Sequence, residues 1–265
     1  MFKITKLNIW IYGIINNYIY RTYDLYFNAI VRRQITNPKE IPIIIVNYNQ
    51  LHYLKQLVNS LVKHDFKNII IIDNKSTYQP LLAYYNEIKK HVTIEFMEEN
   101  FGHAVFFKNN YLQKKHGKGF YVITDADIVP NKDLPDDFIK QLLVHLKKHW
   151  HQITKVGFAL RLDDIPDENI LKEKILKWEE KFWQLKDSED IYIASLDTTF
   201  ALYKPGYPNK YDNISYLRAH RFANNFEAKH GGWYIDQNNM TEEQRFFVTI
   251  ASKSSSWLYN EKNLE

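Results

Sequence analysis

The sequence predicts an α/β fold: a mostly parallel sheet flanked by helices, with a helical extension at the amino terminus. Three observations carry that prediction. Short aliphatic runs recur between Ile41 and Thr124, and segments of helical periodicity separate them. The runs are continuous rather than alternating, which is the pattern of strands buried on both faces. Each run also ends in polar residues suited to a turn. Strands and helices alternating at this spacing imply right-handed crossovers and parallel pairing.

The elements follow in order. Leu7 to Val31 mix Ile, Trp, Tyr and Phe with Asn16, Asn17, Arg21 and Asp24, and the stretch closes on Arg32-Arg33. Its longest apolar run, Ile9 to Ile15, is too short to span a bilayer, and no small-residue cleavage site follows it. Two readings stay open. One is a helix packing its aromatic face on the main domain. The other is an interfacial helix with Trp10, Tyr12, Tyr18 and Tyr20 at headgroup level, and Lys3, Lys6, Arg21, Arg32 and Arg33 facing anionic lipid. Asn37-Pro38-Lys39-Glu40 is polar and proline-bearing, and marks the boundary between an extension (1–40) and a main domain (41–265).

Ile41 to Val46 reads as the first strand, with its proline near the start, where a lost donor costs least. Leu51, Leu54, Leu57, Val58, Leu61 and Val62 share one helical face. Asn68 to Asp73 is the second strand, Leu81 to Ile88 a helix and Val92 to Met97 the third strand. Asn100-Phe-Gly102 opens another helix, which runs on through Tyr111, and Gly119 to Thr124 is the fourth strand. Beyond Pro130 the expected elements are a helix over Leu134 to Trp150, a strand over Val156 to Arg161 and a charged helix over Asp167 to Lys186. Two short strands are expected around Asp197-Thr198-Thr199, within Tyr192 to Tyr203. Lys204 to Pro208 breaks the chain, and Thr241-Glu-Glu-Gln244 is a capping box that opens a last helix.

Composition narrows the function classes. The chain lacks cysteine, which removes disulfides, thiolate metal sites and a cysteine nucleophile. Its formal charge of +4 comes from interspersed Lys and Glu, so it suits an anionic ligand or surface and falls short of a nucleic-acid signature. The 19 tyrosines and 16 phenylalanines supply stacking surfaces as well as core. Abundant Ile, Asn and Lys agree with an AT-rich bacterial source.

The chemistry centres on Gly119 to Pro130. There a buried strand drives into Asp125-Ala-Asp127, at the carboxyl end where open α/β sheets bind ligands. Paired carboxylates in that position suit a hard divalent cation, which can in turn hold phosphates. A dinucleotide-binding Gly-x-Gly-x-x-Gly is absent after the first strand, where Asn47-Tyr48-Asn49-Gln50 stands. A P-loop and the Gly-x-Ser-x-Gly elbow of hydrolases are missing as well. Without a glycine cradle, diphosphate charge must be met by a metal.

Asn47-Tyr-Asn49, Asp73-Asn-Lys-Ser76, Asn100-Phe-Gly102 and Thr124-Asp-Ala-Asp127, in that order, resemble the GT-A glycosyltransferases, and family-2-like bacterial enzymes among them. The resemblance covers Ile41 to Pro130 best and is weaker over Asp197 to Tyr234. It implies a nucleotide-sugar half (41–130) and an acceptor half (131–265). Val46, Asn47 and Asn49 would line the nucleoside pocket, and Asp73 would touch base or ribose. Asn100 and Gly102 would lie beside the nucleotide. Asp125 would meet ribose or sugar and share with Asp127 an ion, Mn²⁺ or Mg²⁺, that bridges the diphosphate. His230 would complete the metal shell, with His220 a lesser choice. Plainer readings exist: Asp73 and Asn49 as strand-end turn residues, Gly102 as a turn glycine, and Trp233 and Tyr234 as core.

Such enzymes also need a base, and the usual Glu-Asp dipeptide is absent after Asp127. Asp197 is the first choice, with a hairpin-turn role as its alternative. Asp163-Asp164, Glu179-Glu180 and Glu227 follow. The expected function is transfer of a hexosyl group from a nucleotide sugar, UDP-linked first, to a saccharide or lipid-linked acceptor of bacterial surface polysaccharide. The expected setting is the cytoplasm, with peripheral contact at an anionic membrane left open and no nucleic-acid partner. The alternatives are a sugar-phosphate nucleotidyltransferase, whose glycine-rich basic loop Asn47-Tyr-Asn49 does not match, and a non-catalytic binding module.

Overall fold

The computed structural model describes residues 6–211, 218–236 and 238–250, and for residues 6–12, 14 and 16 it describes the backbone alone. Two helices, α1 (Lys6–Tyr26) and α2 (Ala29–Thr36), precede the sheet. Then β1 (Ile43–Asn47), α3 (His52–Lys63), β2 (Ile69–Asp73), α4 (Gln79–Ile88) and β3 (Val92–Phe96) alternate. Two short helices follow, α5 (Val105–Lys108) and α6 (Asn110–His116), then β4 (Tyr121–Asp125) and β5 (Ile128–Val129). The second half holds α7 (Phe138–Lys148), β6 (Lys155–Phe158), α8 (Lys172–Glu179), β7 (Lys186–Ser188), β8 (Ile191–Ile193) and β9 (Ala201–Tyr203). It ends with β10 (Ala219–Phe222), β11 (Lys229–His230) and α9 (Glu242–Ile250).

Nine strands make one sheet in the order β3-β2-β1-β4-β9-β6-β10-β8-β7. From β3 to β4 all pairing is parallel, whereas β9 runs antiparallel between β4 and β6. The aliphatic runs explain the parallel part. Ile43 to Ile45, Ile69 to Ile72 and Tyr121 to Ile123 are buried, as helices cover both faces of the sheet. Each such side chain contributes about 1.5–3 kcal/mol on burial.

Four expected elements differ from the structure. The helix expected from Asn100-Phe-Gly102 through Tyr111 divides at Asn109, which leaves helical backbone so that its side chain caps Tyr111 N and Leu112 N at 3.0 and 3.2 Å. The strand expected through Arg161 stops at Phe158, and Leu160 makes only an isolated bridge to Ala228. The helix expected over Asp167 to Lys186 is confined to α8 and a 3₁₀ turn over Glu180–Phe182, because Lys186–Ser188 find their backbone partners in β8. The two short strands around Asp197 exist, but they are not a hairpin. β8 pairs with β10 and β7, while β9 enters the middle of the sheet, so residues 194–200 run from beside the start of β10 to the carboxyl end of β4.

The helical extension is stitched to the sheet. Gln34 accepts from Phe120 N at 2.7 Å and donates to Phe120 O at 2.8 Å, so it satisfies backbone just ahead of β4 as another strand would. Buried Asp24 pairs with Lys210 at 2.7 Å and accepts from Tyr211 Oη at 3.3 Å. The side chains of Trp10 and Tyr12, together with Lys3 and Lys6, lie outside the described residues.

Candidate active site

The ends of β1 and β2 are knitted together. Asn47 Nδ2 donates to Tyr85 Oη at 2.8 Å, and Tyr85 in turn donates to Asp73 at 2.7 Å. The other Asp73 oxygen accepts from Ser76 N at 2.8 Å. Asn49, at φ +55°, receives Thr77 N and Tyr78 N on its side-chain oxygen at 2.6 and 2.9 Å. Asp73 is 1% exposed, and Asn47 and Asn49 are equally buried. Their polar atoms therefore fix the shape of the wall at the strand ends. Beside it, Asn74 Nδ2 holds Gly102 O at 3.1 Å and Asn100 caps Gly102 N at 2.9 Å. Gly102 has φ +77°, and a Cβ placed there would meet nothing within 4 Å, so its backbone presents an open face.

Asp125 closes β4, and Asp127 stands in the turn just ahead of the short β5. Thr198 grips Asp125 twice. Its carbonyl accepts Asp125 N at 3.0 Å, and its hydroxyl donates to the Asp125 carboxylate at 2.5 Å. Burial, then the neighbouring charge of Asp127, push the Asp125 carboxyl well above the usual carboxylate range; Asp197 adds to the rise and Thr198 opposes it. Asp127 is 7% exposed. Its carbonyl accepts Gly231 N at 2.8 Å, and its carboxylate accepts Gly232 N at 3.2 Å and lies 3.5 Å from His230 Nδ1. The two-stranded sheet of β5 and β11 makes that meeting possible, by pairing Ile128 with His230.

Trp233 stacks on the His230 ring at 5.1 Å and 17°, which holds the imidazole over Asp127. Gly231 is required sterically, since a Cβ there would lie 2.3 Å from the Tyr53 ring. Burial and the charges of Asp127 and Glu243 raise the Tyr53 hydroxyl to about 12. On one side α9 closes the space: Glu243 caps Leu51 N and His52 N at 2.8 and 3.0 Å, and Phe246 packs on Tyr78. The capping box is formed, with Thr241 and Gln244 exchanging bonds of 2.9 and 3.2 Å.

On the other side lies a cleft of about 700 Å³ that Asp125, Asp197, Thr198, His230 and Trp233 line together with Trp178, Phe182 and Arg221. Asp197 is exposed in it. Beneath, Lys155 reaches Asp197 O and Tyr203 Oη at 3.5 and 3.1 Å, and burial lowers its ammonium to about 7. Of the other acids considered from sequence, Glu180 is exposed and the rest are engaged by neighbours. Glu179 is buried in an ion pair with Arg221 at 2.8 Å, and Arg221 also donates to Ser195 O at 2.7 Å. Asp164 is held by Lys229, Arg161 and the Tyr234 hydroxyl, and Asp163 faces Arg161 at 3.5 Å. Glu227 accepts Asn224 N at 2.9 Å. His220 sits away from the cleft against His145.

Residues 43–205, well over half of the chain, match Glycosyl transferase family 2. The chain belongs to that family. It is a glycosyltransferase, and the sheet with its carboxylates at the end of β4 is a GT-A sheet.

No curated protein sequence matches this glycosyltransferase. Among solved structures it is similar to the mannosyltransferase PcManGT from Pyrobaculum calidifontis in complex with GDP-Man and Mn²⁺. The identity is 14% and the TM-score 0.45, covering 84% of this chain and 68% of that one. It is similar to S. aureus TarS 1-349 at 16% identity and TM-score 0.45, covering 73% of this chain and 60% of that one. An apo UDP-glucose pyrophosphorylase matches at 9% identity and TM-score 0.37, covering 79% and 98%. The chain thus spans less than two thirds of TarS 1-349.

The donor set of the site fits a divalent cation. Among the described residues neither Asp125 nor Asp127 forms an ion pair with lysine or arginine. Two neighbouring carboxylates, the second 3.5 Å from an imidazole, stand where lysine and arginine are missing, and oxygen donors of this kind suit Mg²⁺ or Mn²⁺. Sequence alone foresaw the last helix but did not reveal that it, Thr198 or Tyr53 meets the site. Thr198 adjoins Asp197 and carried a weak signal; the others meet the site only through the fold.

Proposed function

We propose that this enzyme transfers a hexosyl group from a nucleotide sugar, a UDP-sugar first, to a saccharide or lipid-linked acceptor in bacterial surface polysaccharide synthesis. One observation carries the reading: two neighbouring carboxylates that meet no lysine or arginine among the described residues stand at the end of β4, and the first of them, Asp125, lines a cleft that also holds the exposed acid Asp197. The nucleoside lies against the wall formed by Val46, Asn47, Asn49 and Asp73, with Asn100 and the open backbone of Gly102 beside it. Asp125, Asp127 and His230 would hold Mn²⁺ or Mg²⁺. When bound, the ion neutralises diphosphate charge and eases departure of the nucleoside diphosphate.

The chain's own groups divide the remaining work. Thr198 aims Asp125 at the donor sugar or ribose. Asp197 accepts the proton of the acceptor hydroxyl as the new glycosidic bond forms and the sugar–phosphate bond breaks. Trp178, 51% exposed in the cleft, offers the acceptor sugar a flat apolar face.

Membrane contact rests on α1. Ile15, Tyr18, Ile19, Tyr23 and Tyr26 recur at helical spacing, and all are exposed, as is Phe27 just beyond. That stripe suits the headgroup region of an anionic leaflet. Among the described residues no helix is long and apolar enough to cross a membrane.

The test is nucleoside diphosphate release from a panel of UDP-, GDP- and dTDP-sugars with Mn²⁺ or Mg²⁺, comparing the native chain with Asp127→Asn. The expected result is metal-dependent turnover with one nucleotide class, reduced about 10³-fold in the folded variant. Equal turnover in both proteins, or turnover insensitive to chelator, would refute the assignment.

A further inference from the structure

Away from the cleft, three histidines and an aspartate converge. His145 lies in the last turn of α7 and His149 caps that helix four residues on, while His220 comes from β10 and Asp187 from β7. One ligating atom from each lies within 4.8 Å of all the others. His145 Nε2 and His220 Nδ1 are 2.7 Å apart, and both rings are buried. The three imidazoles crowd together, with centroids 4.3 Å apart for His145 and His149 and 5.0 Å for each ring with His220.

The second observation is His149 Nε2, which is buried and makes no hydrogen bond; the nearest acid oxygen is Asp187 Oδ2 at 3.8 Å. Buried polar atoms normally find partners, so an orphan at the centre of a ligand-like cluster points to a missing one. The far side of the same ring is set. His149 Nδ1 lies 2.9 Å from Gln152 Oε1, which keeps the proton on Nδ1 and turns the Nε2 lone pair inward.

We propose that His145, His149, His220 and Asp187 form a structural transition-metal site, separate from the cation at Asp125 and Asp127. Three neutral nitrogens and one carboxylate oxygen make a four-coordinate set of the zinc type. A tetrahedron with bonds of 2.0–2.2 Å has edges of about 3.3 Å. The separations of 2.7 and 3.8 Å bracket that value, and the remaining pairs lie within 4.8 Å. Nitrogen-rich donors select against Mg²⁺ and Ca²⁺, and the lack of thiolate or thioether selects against Cu⁺. Asp187 is the exposed member, and leaves the ion a way in.

The ion ties α7 to two strands of the sheet's far edge. β10 also carries Arg221, whose side chain lines the cleft, and β7 pairs with β8, which leads into residues 194–197 of the same wall. Metal at this site therefore stiffens the acceptor side without touching substrate.

The experiment uses the tag-free full chain, stripped with chelator and titrated with Zn²⁺, and with Co²⁺ for its visible absorption. The expected result is one equivalent bound, intense bands of four-coordinate Co²⁺ and a raised melting temperature. All three persist in Asp127→Asn. All are lost in His149→Ala and in the surface variant Asp187→Asn, which serves should the first fail to fold. Gln152→Ala should weaken binding about 10–100-fold. Absence of saturable binding to the native chain overturns the proposal, as does binding that Asp127→Asn abolishes while His149→Ala and Asp187→Asn retain it.

Discussion

The two halves of the sheet follow different plans. In β3-β2-β1-β4 the strands are parallel and aliphatic, and the polar residues at their ends bond to one another. In β9-β6-β10-β8-β7 the strands are short and of mixed direction. Among the described residues, every buried lysine or arginine (Lys155, Lys204 and Arg221) belongs to this second half. The first half is a wall in which Asn47, Asp73, Ser76 and Tyr85 bond to one another. The second places reactive groups by means of buried charge, so its shape depends on electrostatics that substitution and pH can reach.

The largest effect should come from the group the second half exposes. Asp197→Asn is expected to lower kcat about 10²–10³-fold with little change in donor affinity, measured by steady-state kinetics and donor titration. A substitution in the first-half wall, such as Asn47→Ala, should instead act through stability. Next comes the ion pair under the cleft. Glu179→Ala leaves Arg221 charged and buried, and should cost about 3–5 kcal/mol in denaturant unfolding, while an apolar replacement of both partners should recover much of the loss.

A pH effect separates the halves further. Burial lowers both Lys155 and Lys204 to about 7 from an ordinary 10.5. Between those values the unfolded chain binds more protons than the folded one, so stability should rise with pH from about 7 to 10. Each lysine adds up to roughly 1.4 kcal/mol per pH unit, and Lys155→Met should remove its share of the slope in urea melts across that range. The smallest effect is at the cleft's rim: Trp178→Ala should raise the acceptor KM by about tenfold or less, with kcat nearly unchanged.

Legibility in the sequence follows the same division. Ile43 to Val46, Ile69 to Ile72 and Tyr121 to Ile123 announced their strands because a doubly covered strand is apolar at every position. β10 was not foreseen, since Ala219-His220-Arg221-Phe222 buries an ion-paired arginine and a clustered histidine that read as surface. Asp125, Asp127, Asp197 and His230 could be picked out as chemical types at suggestive places. Their placement near the end of β4 needed β5 pairing with β11, and Thr198 bridging to Asp125, contacts across more than seventy residues. The capping box at Thr241 was legible because it is local, but nothing local says that Glu243 reaches back to the start of α3.

That reach has a consequence for synthesis on the ribosome. The wall beside Asp127 includes Gln50 and Tyr53 from early in the chain and Glu243, Gln244 and Phe247 from late in it. All the strands precede α9 in the chain, so the sheet can emerge whole while that wall still lacks a side, and termination between β11 and α9 removes that side without removing a strand.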